Sequence, residues 1–247
     1  MRYLIGICLL LVVSTVSFGA TGASVLYQVN GQSYEGYYVS PSSNAPLVLL
    51  IHDWNGLTDY EIKRANMISE LGYAVFALDL FGAGLRPTEV KDKRQHTGEL
   101  YKNREKMRSL MKGALETAKD RGANIGNAVA VGYCFGGAAV LELARSGAGL
   151  KGFAVFHGGL KTPQGQNYTK TEGKILIMHG SADKAITMAQ FADLATELES
   201  AGVAHEMITY GGAQHAFTVF GENRYQEGAD KKSWKRFTEF LTDTLKK

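Results

Sequence analysis

Gly132-Tyr133-Cys134-Phe135-Gly136-Gly137 is the stretch whose reading decides the fold. Ahead of it runs Asn127-Ala128-Val129-Ala130-Val131, an apolar, β-branched run of the kind that forms a buried parallel strand. Behind it, Ala138 to Ala144 has the composition of a helix. A strand, a sharp turn and a helix, with a nucleophile at the turn between small residues, form the nucleophile elbow G-x-S-x-G, here with Cys in the Ser position. Gly132 and Gly136 are expected on steric grounds, because a Cβ two residues either side of the nucleophile would collide with strand or helix. The turn would set the Cys134 sulfur at the carboxyl edge of a sheet, above a helix N-terminus that favours negative charge. A buried structural cysteine beside a Gly-rich turn is the competing reading, and it weakens once the residues downstream are counted.

Outward from the elbow, strands alternate with helices. Pro46 to Ile51 is a continuous apolar run and reads as a central strand. Thr58-Asp59-Tyr60-Glu61 is a capping box, continued as a helix by Ile62, Ala65, Ile68 and Leu71. Tyr73 to Leu80 is the next strand. Phe81 to Gly98, with Gly82, Gly84 and Pro87, reads as a loop with one short helix, and Glu99 to Asp120 as a helix with Leu100, Met107, Met111, Ala114 and Ala118 on one stripe. Further strands are expected over Gly152 to Phe156, Lys174 to His179 and Ala204 to Tyr210, with helices after Thr187 and around Trp234, Phe237, Leu241 and Leu245. Near the N-terminus, Val25 to Val29 and Tyr34 to Ser40 alternate like strands, and Asn30-Gly31 between them is a hairpin signal. The expected class is therefore α/β: a mostly parallel sheet with helices on both faces and an antiparallel N-terminal hairpin, which is the α/β-hydrolase fold.

In that fold the catalytic order along the chain is nucleophile, acid, histidine. After Cys134 the next acid at a strand end is Asp183, in Gly180-Ser181-Ala182-Asp183, and the next loop histidine is His215. Taken alone, Asp183 is an Asx-turn residue and His215 a surface histidine. Together, three suitable residue types in order at three strand ends make a triad in which His215 accepts the thiol proton and Asp183 fixes its tautomer. Two backbone N–H groups, of Phe135 and Trp54, are the candidates for an oxyanion hole. His96 and His205 read as solvated, whereas His52, His157 and His179 end strands and are candidates for the site edge. None has metal-ligand spacing with another His or Cys, so no metal is expected.

These motifs resemble the dienelactone hydrolase family, small α/β-hydrolases with a Cys-His-Asp triad. Gly132 to Gly137, Gly180 to Asp183 and His215-Ala216-Phe217 stand where that family has its nucleophile, acid and histidine motifs, and the similarity runs from about Ser24 to Lys247. The resemblance implies hydrolysis of an ester or lactone through a thioester, without cofactor. It also implies a small-molecule substrate. An acyltransferase or peptidase on the same scaffold, or a binding module that kept the fold, stays open, although an intact triad argues against the last.

Two departures from the family stand out. The enzyme for which the family is named has a Glu after the third strand, beside the resting thiol, and this chain has Asp53. Asp53 should face the substrate side of Cys134, where a carboxylate disfavours a thiolate, or else it merely caps its own loop. Of the two arginines with which the same enzyme holds its substrate carboxylate, one is replaced here by Val219 and the other falls near Thr97. Dienelactone itself is therefore a doubtful substrate. Arg104, which falls in a gap of the apolar stripe, or Arg108 beside it is the candidate for restoring the lost charge, with a solvent-facing helix position as the competing reading.

The chain has 247 residues and a net charge of +3, enough for one full-size domain over residues 24–247. Its basic residues are interspersed with acidic ones, Lys91-Asp92-Lys93-Arg94 reads as a solvated face, and nothing resembles a nucleic-acid footprint. Residues 1–22 read as a signal peptide: Met1-Arg2, an apolar run from Tyr3 to Val13 too short to span a bilayer, then small residues, with cleavage between 19 and 23. An exported protein, periplasmic or secreted, is expected, without stable membrane association after cleavage. Removal of this segment takes away Cys8, so Cys134 becomes the lone thiol of the mature chain and no internal disulfide is possible. A monomer is expected, with a dimer left open.

Overall fold

The computed structural model describes residues 21–245. The expected signal peptide lies almost wholly outside the described residues. Among them, eight strands form one sheet in the order β1-β2-β4-β3-β5-β6-β7-β8. The strands are β1 (Ala23–Val29), β2 (Gln32–Val39), β3 (Pro46–Ile51), β4 (Ala74–Leu78), β5 (Asn124–Tyr133), β6 (Gly152–Phe156), β7 (Lys174–Gly180) and β8 (His205–Tyr210). The β1–β2 and β2–β4 pairs are antiparallel and all other neighbours are parallel. Asn30 and Gly31, both in the left-handed region, make the β1–β2 turn.

Burial on both sides explains the unbroken apolar strands. Leu47, Leu49 and Ile51 of β3 face one core cluster, and Val48 and Leu50 face the other. The first is covered by α3 (Arg104–Asp120), α4 (Phe135–Arg145) and α5 (Met188–Ser200). The second is covered by α1 (Asp59–Ser69) and α6 (Glu227–Thr244). No helix of the described residues is long and apolar enough to cross a membrane.

The chain leaves β3 for β4 on one side and returns to β5 on the other, so the strand order reverses at β3. Loops after adjacent strands diverge at such a point and open a crevice at the carboxyl ends. The loops after β3 and β5, which carry Asp53-Trp54 and Cys134, border that crevice.

Two segments differ from the sequence expectation. The helix expected over Glu99 to Asp120 is two helices, α2 (Val90–Lys102) and α3, so α2 begins inside the segment read as mostly loop. Asn103 breaks them with φ −118° and ψ 77°, and its side chain caps α3 by accepting from the Lys106 N–H at 2.9 Å. Leu71 lies beyond α1, which ends before the turn at Gly72 (φ 96°), and it is 36% exposed. The stripe from Leu100 to Ala118 is buried as expected.

Candidate active site

The turn after β5 is held by contacts that only glycine permits. A Cβ on Gly132 would stand 2.2 Å from the Gly136 carbonyl oxygen, and one on Gly136 would stand 2.2 Å from the Ile51 carbonyl oxygen. Cys134 between them sits at φ 53°, ψ −113°, strained for a residue with a Cβ. Its backbone is pinned by its own N–H to the Phe156 carbonyl (3.1 Å) and by the Gly137 N–H, which its carbonyl accepts at 3.1 Å. The sulfur consequently faces the crevice at the N-terminus of α4.

The loops after β7 and β8 bring the other two residues to it. His215 Nε2 lies 3.0 Å from Cys134 Sγ, and His215 Nδ1 lies 2.8 Å from Asp183 Oδ2. Asp183 is locked in turn, because its Oδ1 accepts the N–H groups of Ala185 (2.8 Å) and Ile186 (2.9 Å). Burial would raise the Asp183 carboxyl, but the bonds from His215 and these amides outweigh it and hold the group below its ordinary value. Burial would lower His215, yet its bonds to Asp183 and Cys134 push it up to about 10. A proton received from the Cys134 thiol is thereby held at His215.

Cys134 and His215 border a cavity of about 540 Å³, into which Asp53, Trp54 and Phe135 also face, while Asp183 stands behind His215. Phe135 is the first residue of α4, and its N–H has no helical partner. No acceptor within the described residues takes the N–H of Trp54 or Phe135. Asp53 is 6% exposed, accepts from the Asn55 N–H (2.6 Å) and from Asn55 Nδ2 (3.1 Å), and is pushed up to about 6 by burial. It thus bonds its own loop and borders the cavity as well. Beneath it, the buried Glu61 accepts from the Asp53 N–H and the Thr58 N–H, and burial beside Asp53 pushes Glu61 up to about 8.

The strand-end histidines lie one layer below the cavity, which corrects their placement at its edge. All three are fully buried, and burial lowers each, His52 to about 4. His52 donates from Nδ1 to the Asp53 carbonyl (2.6 Å) and accepts the Leu80 N–H at Nε2, an arrangement that sets its tautomer. His179 Nε2 donates to the Ile186 carbonyl (3.0 Å), bracing the turn that binds Asp183. His157 contacts Thr218 in the His215 loop.

Arg104 and Arg108 require a second correction. Both are bound to Glu142 of α4, at 3.4 Å and 2.5 Å, together with Arg145 at 3.0 Å, and neither lines the cavity. A carboxylate with no exposed surface draws every nearby guanidinium to itself. The cations of the cavity are instead Lys93, Arg94 and Arg224, with Glu222 among them. Lys93 and Arg94 open α2, so the segment read as a solvated face folds over the site. Tyr101 is a further lining residue that the sequence did not single out. It follows Leu100 at the end of α2, off the apolar stripe, and nothing short of the packing of α2 could have indicated it. Among the described residues no cluster of three or more His, Cys, Asp or Glu has the makings of a metal site.

Residues 34–245 match the model of the dienelactone hydrolase family. The curated "Protein usf" of Aquifex pyrophilus is 24% identical over 201 residues, 79% of this chain and 87% of that protein. Among solved structures, "m3DLH" superposes with a TM-score of 0.87 at 26% identity, covering 93% of this chain and all of its own. The dienelactone hydrolase-like promiscuous phosphotriesterase P91 from metagenomic libraries superposes with a TM-score of 0.85 at 25% identity, with the same coverage.

Proposed function

This chain belongs to the dienelactone hydrolase family, and from that premise we propose that it cleaves a carboxylic ester or lactone of a small molecule through a thioester on Cys134. The observation that carries the reading is the unbroken line from Cys134 Sγ through His215 to Asp183, at 3.0 Å and 2.8 Å. His215 Nε2 takes the thiol proton, and the thiolate adds to the carbonyl carbon. The negative charge that develops on the carbonyl oxygen is met by the free N–H groups of Phe135 and Trp54. Collapse breaks the carbon–oxygen bond, and the departing alkoxide takes the proton from His215. His215 then deprotonates a water, which adds to the thioester carbonyl. The acid leaves, the sulfur is freed, and the proton returns to it. Asp183 keeps His215 protonated at Nδ1 throughout.

Lys93, Arg94 and Arg224 supply the positive charge that the departures at Thr97 and Val219 remove, which favours a substrate carrying an anionic group over a neutral one. The leader pattern of residues 1–22 supports export of the mature protein. The test is acyl-enzyme trapping: short esters and lactones are mixed with the protein, and intact mass is recorded before and after iodoacetamide. One acyl adduct on Cys134 is expected, and Cys134→Ala should be inactive but folded. Retention of more than about 5% of turnover in that variant would refute the assignment, since loss of a nucleophile costs orders of magnitude.

A further inference from the structure

His215 is followed by a strained residue, and something must hold it there. Ala216 has φ 64°, a conformation that costs a residue with a Cβ about 1–3 kcal/mol and persists only where surroundings over-determine it. The surroundings converge on Thr218, three residues beyond His215 and fully buried. Thr218 Oγ1 lies 2.8 Å from His157 Nε2 and 2.6 Å from the Tyr60 hydroxyl of α1. Its carbonyl accepts from Arg64 Nη2 at 2.8 Å. Arg64, also buried, is paired at 2.5 Å with Asp230 of α6. One residue of the β8–α6 loop is therefore tied to the end of β6, to α1 and, through Arg64, to α6.

Proton counting gives the direction of one of these bonds. His157 Nδ1 has no partner among the described residues. A buried N–H without an acceptor is costlier than a bare lone pair, so the proton sits on Nε2 and is donated to Thr218. The His157 ring, itself at φ 40°, stands edge-on to the His215 ring with centroids 5.5 Å apart. It braces the imidazole from below while it anchors the loop.

We infer that Thr218 is the positioning residue of His215: its hydroxyl, gripped by His157 and Tyr60, sets where His215 Nε2 stands relative to Cys134 Sγ. This rests on the triad reading above. Burial keeps His157 uncharged, so the brace adds no repulsion to the imidazolium beside it.

Thr218→Val keeps the shape and removes the hydroxyl, whereas Thr218→Ser keeps the hydroxyl and removes a methyl. Each is assayed for kcat and KM on a p-nitrophenyl ester, for the rate of Cys134 alkylation by iodoacetamide at neutral pH, and for Tm. Because small misplacements of catalytic groups cost up to about 100-fold, Thr218→Val should lower both kcat and alkylation about 10-fold or more, with KM within about twofold. Thr218→Ser should stay within about threefold of the parent in both rates, since the gripped hydroxyl remains. A folded Thr218→Val with both rates unchanged overturns the inference, and so does a Thr218→Ser as slow as the valine variant. If Thr218→Val gives no cooperative melt, Tyr60→Phe decides: slower kcat and alkylation at unchanged KM support the grip, and unchanged rates overturn it. Failure of the triad reading shows separately, in the parent protein, as turnover that survives blocking of Cys134, and it removes the inference with it.

Discussion

Replacing Asp183 by Asn should disable the site without unfolding the protein, and the geometry says why. Asp183 Oδ1 accepts two backbone N–H groups, from Ala185 at 2.8 Å and Ile186 at 2.9 Å, while Oδ2 faces His215 Nδ1 at 2.8 Å. An amide must keep its oxygen beneath the two backbone donors, because its NH2 would meet them donor to donor. The NH2 then points at His215 Nδ1. The imidazole answers by presenting a lone pair there and carrying its proton on Nε2, aimed at Cys134 Sγ 3.0 Å away. In that tautomer His215 cannot accept the thiol proton. In the parent protein burial opposes the charged imidazole and the bonds to Asp183 and Cys134 overcome it; in the variant burial is left without the carboxylate. A wrong-tautomer substitution of this kind lowers kcat by about 10⁴, which is about 5.5 kcal/mol of lost transition-state stabilisation. Steady-state hydrolysis of p-nitrophenyl butyrate measures it, alkylation of Cys134 by iodoacetamide should slow in parallel, and Tm should hardly move. Turnover above about a tenth of the parent value would refute the orientation argument, since it lies orders of magnitude above what a wrong tautomer leaves in a Ser-His-Asp triad.

Asp53→Asn should speed alkylation of Cys134 above about pH 6, where the parent carboxylate is charged, and make no difference below about pH 5, where it is neutral; an unchanged profile rejects any influence of Asp53 on the thiol. Gly136→Ala sets a Cβ 2.2 Å from the Ile51 carbonyl oxygen and 2.6 Å from that of His52, so β3 must shift. A loss of about 2–3 kcal/mol is expected, which thermal unfolding reads as a fall of about 4–12 °C. Gly126→Ala, whose Cβ would meet nothing nearer than 3.5 Å, is the neutral control. Asp230→Asn leaves Arg64 buried without its counter-charge and should cost about 3–5 kcal/mol by chemical denaturation, whereas Arg64→Met with Asp230→Leu should recover most of it. Equal losses in the single and the double variant would show instead that the pair itself stabilises the fold.

How much of this was legible in the sequence depended on the range of the interaction concerned. The elbow was legible because its constraint is local: two glycines, a strand and a helix within about a dozen residues. The central strand Pro46 to Ile51 appears with those bounds because burial on both faces leaves an unbroken apolar run. The break at Asn103 was not legible. Leu100 and Met107 keep helical spacing across it, and a capping asparagine inside a polar stretch looks like any solvent-facing residue. The arginines were misjudged for a related reason. Arg104 falls in a gap of the stripe, with Arg108 beside it, a placement that suits a functional cation, but the partner that claims them is Glu142, on a helix buried along its whole length.

By itself, then, the sequence determined the α/β class, the elbow and the order in which Cys134, Asp183 and His215 occur, because these follow from steric rules and periodicities that act over a few residues. Tertiary structure alone decided which charges reach the cavity, bringing Lys93, Arg94 and Arg224 to it and withdrawing Arg104 and Arg108 to Glu142. It alone drew His157, Tyr60 and Arg64 onto Thr218, from segments separated by as many as 158 positions. The physical reason is that a buried polar group must find a partner wherever packing provides one, and packing joins residues without regard to their distance along the chain.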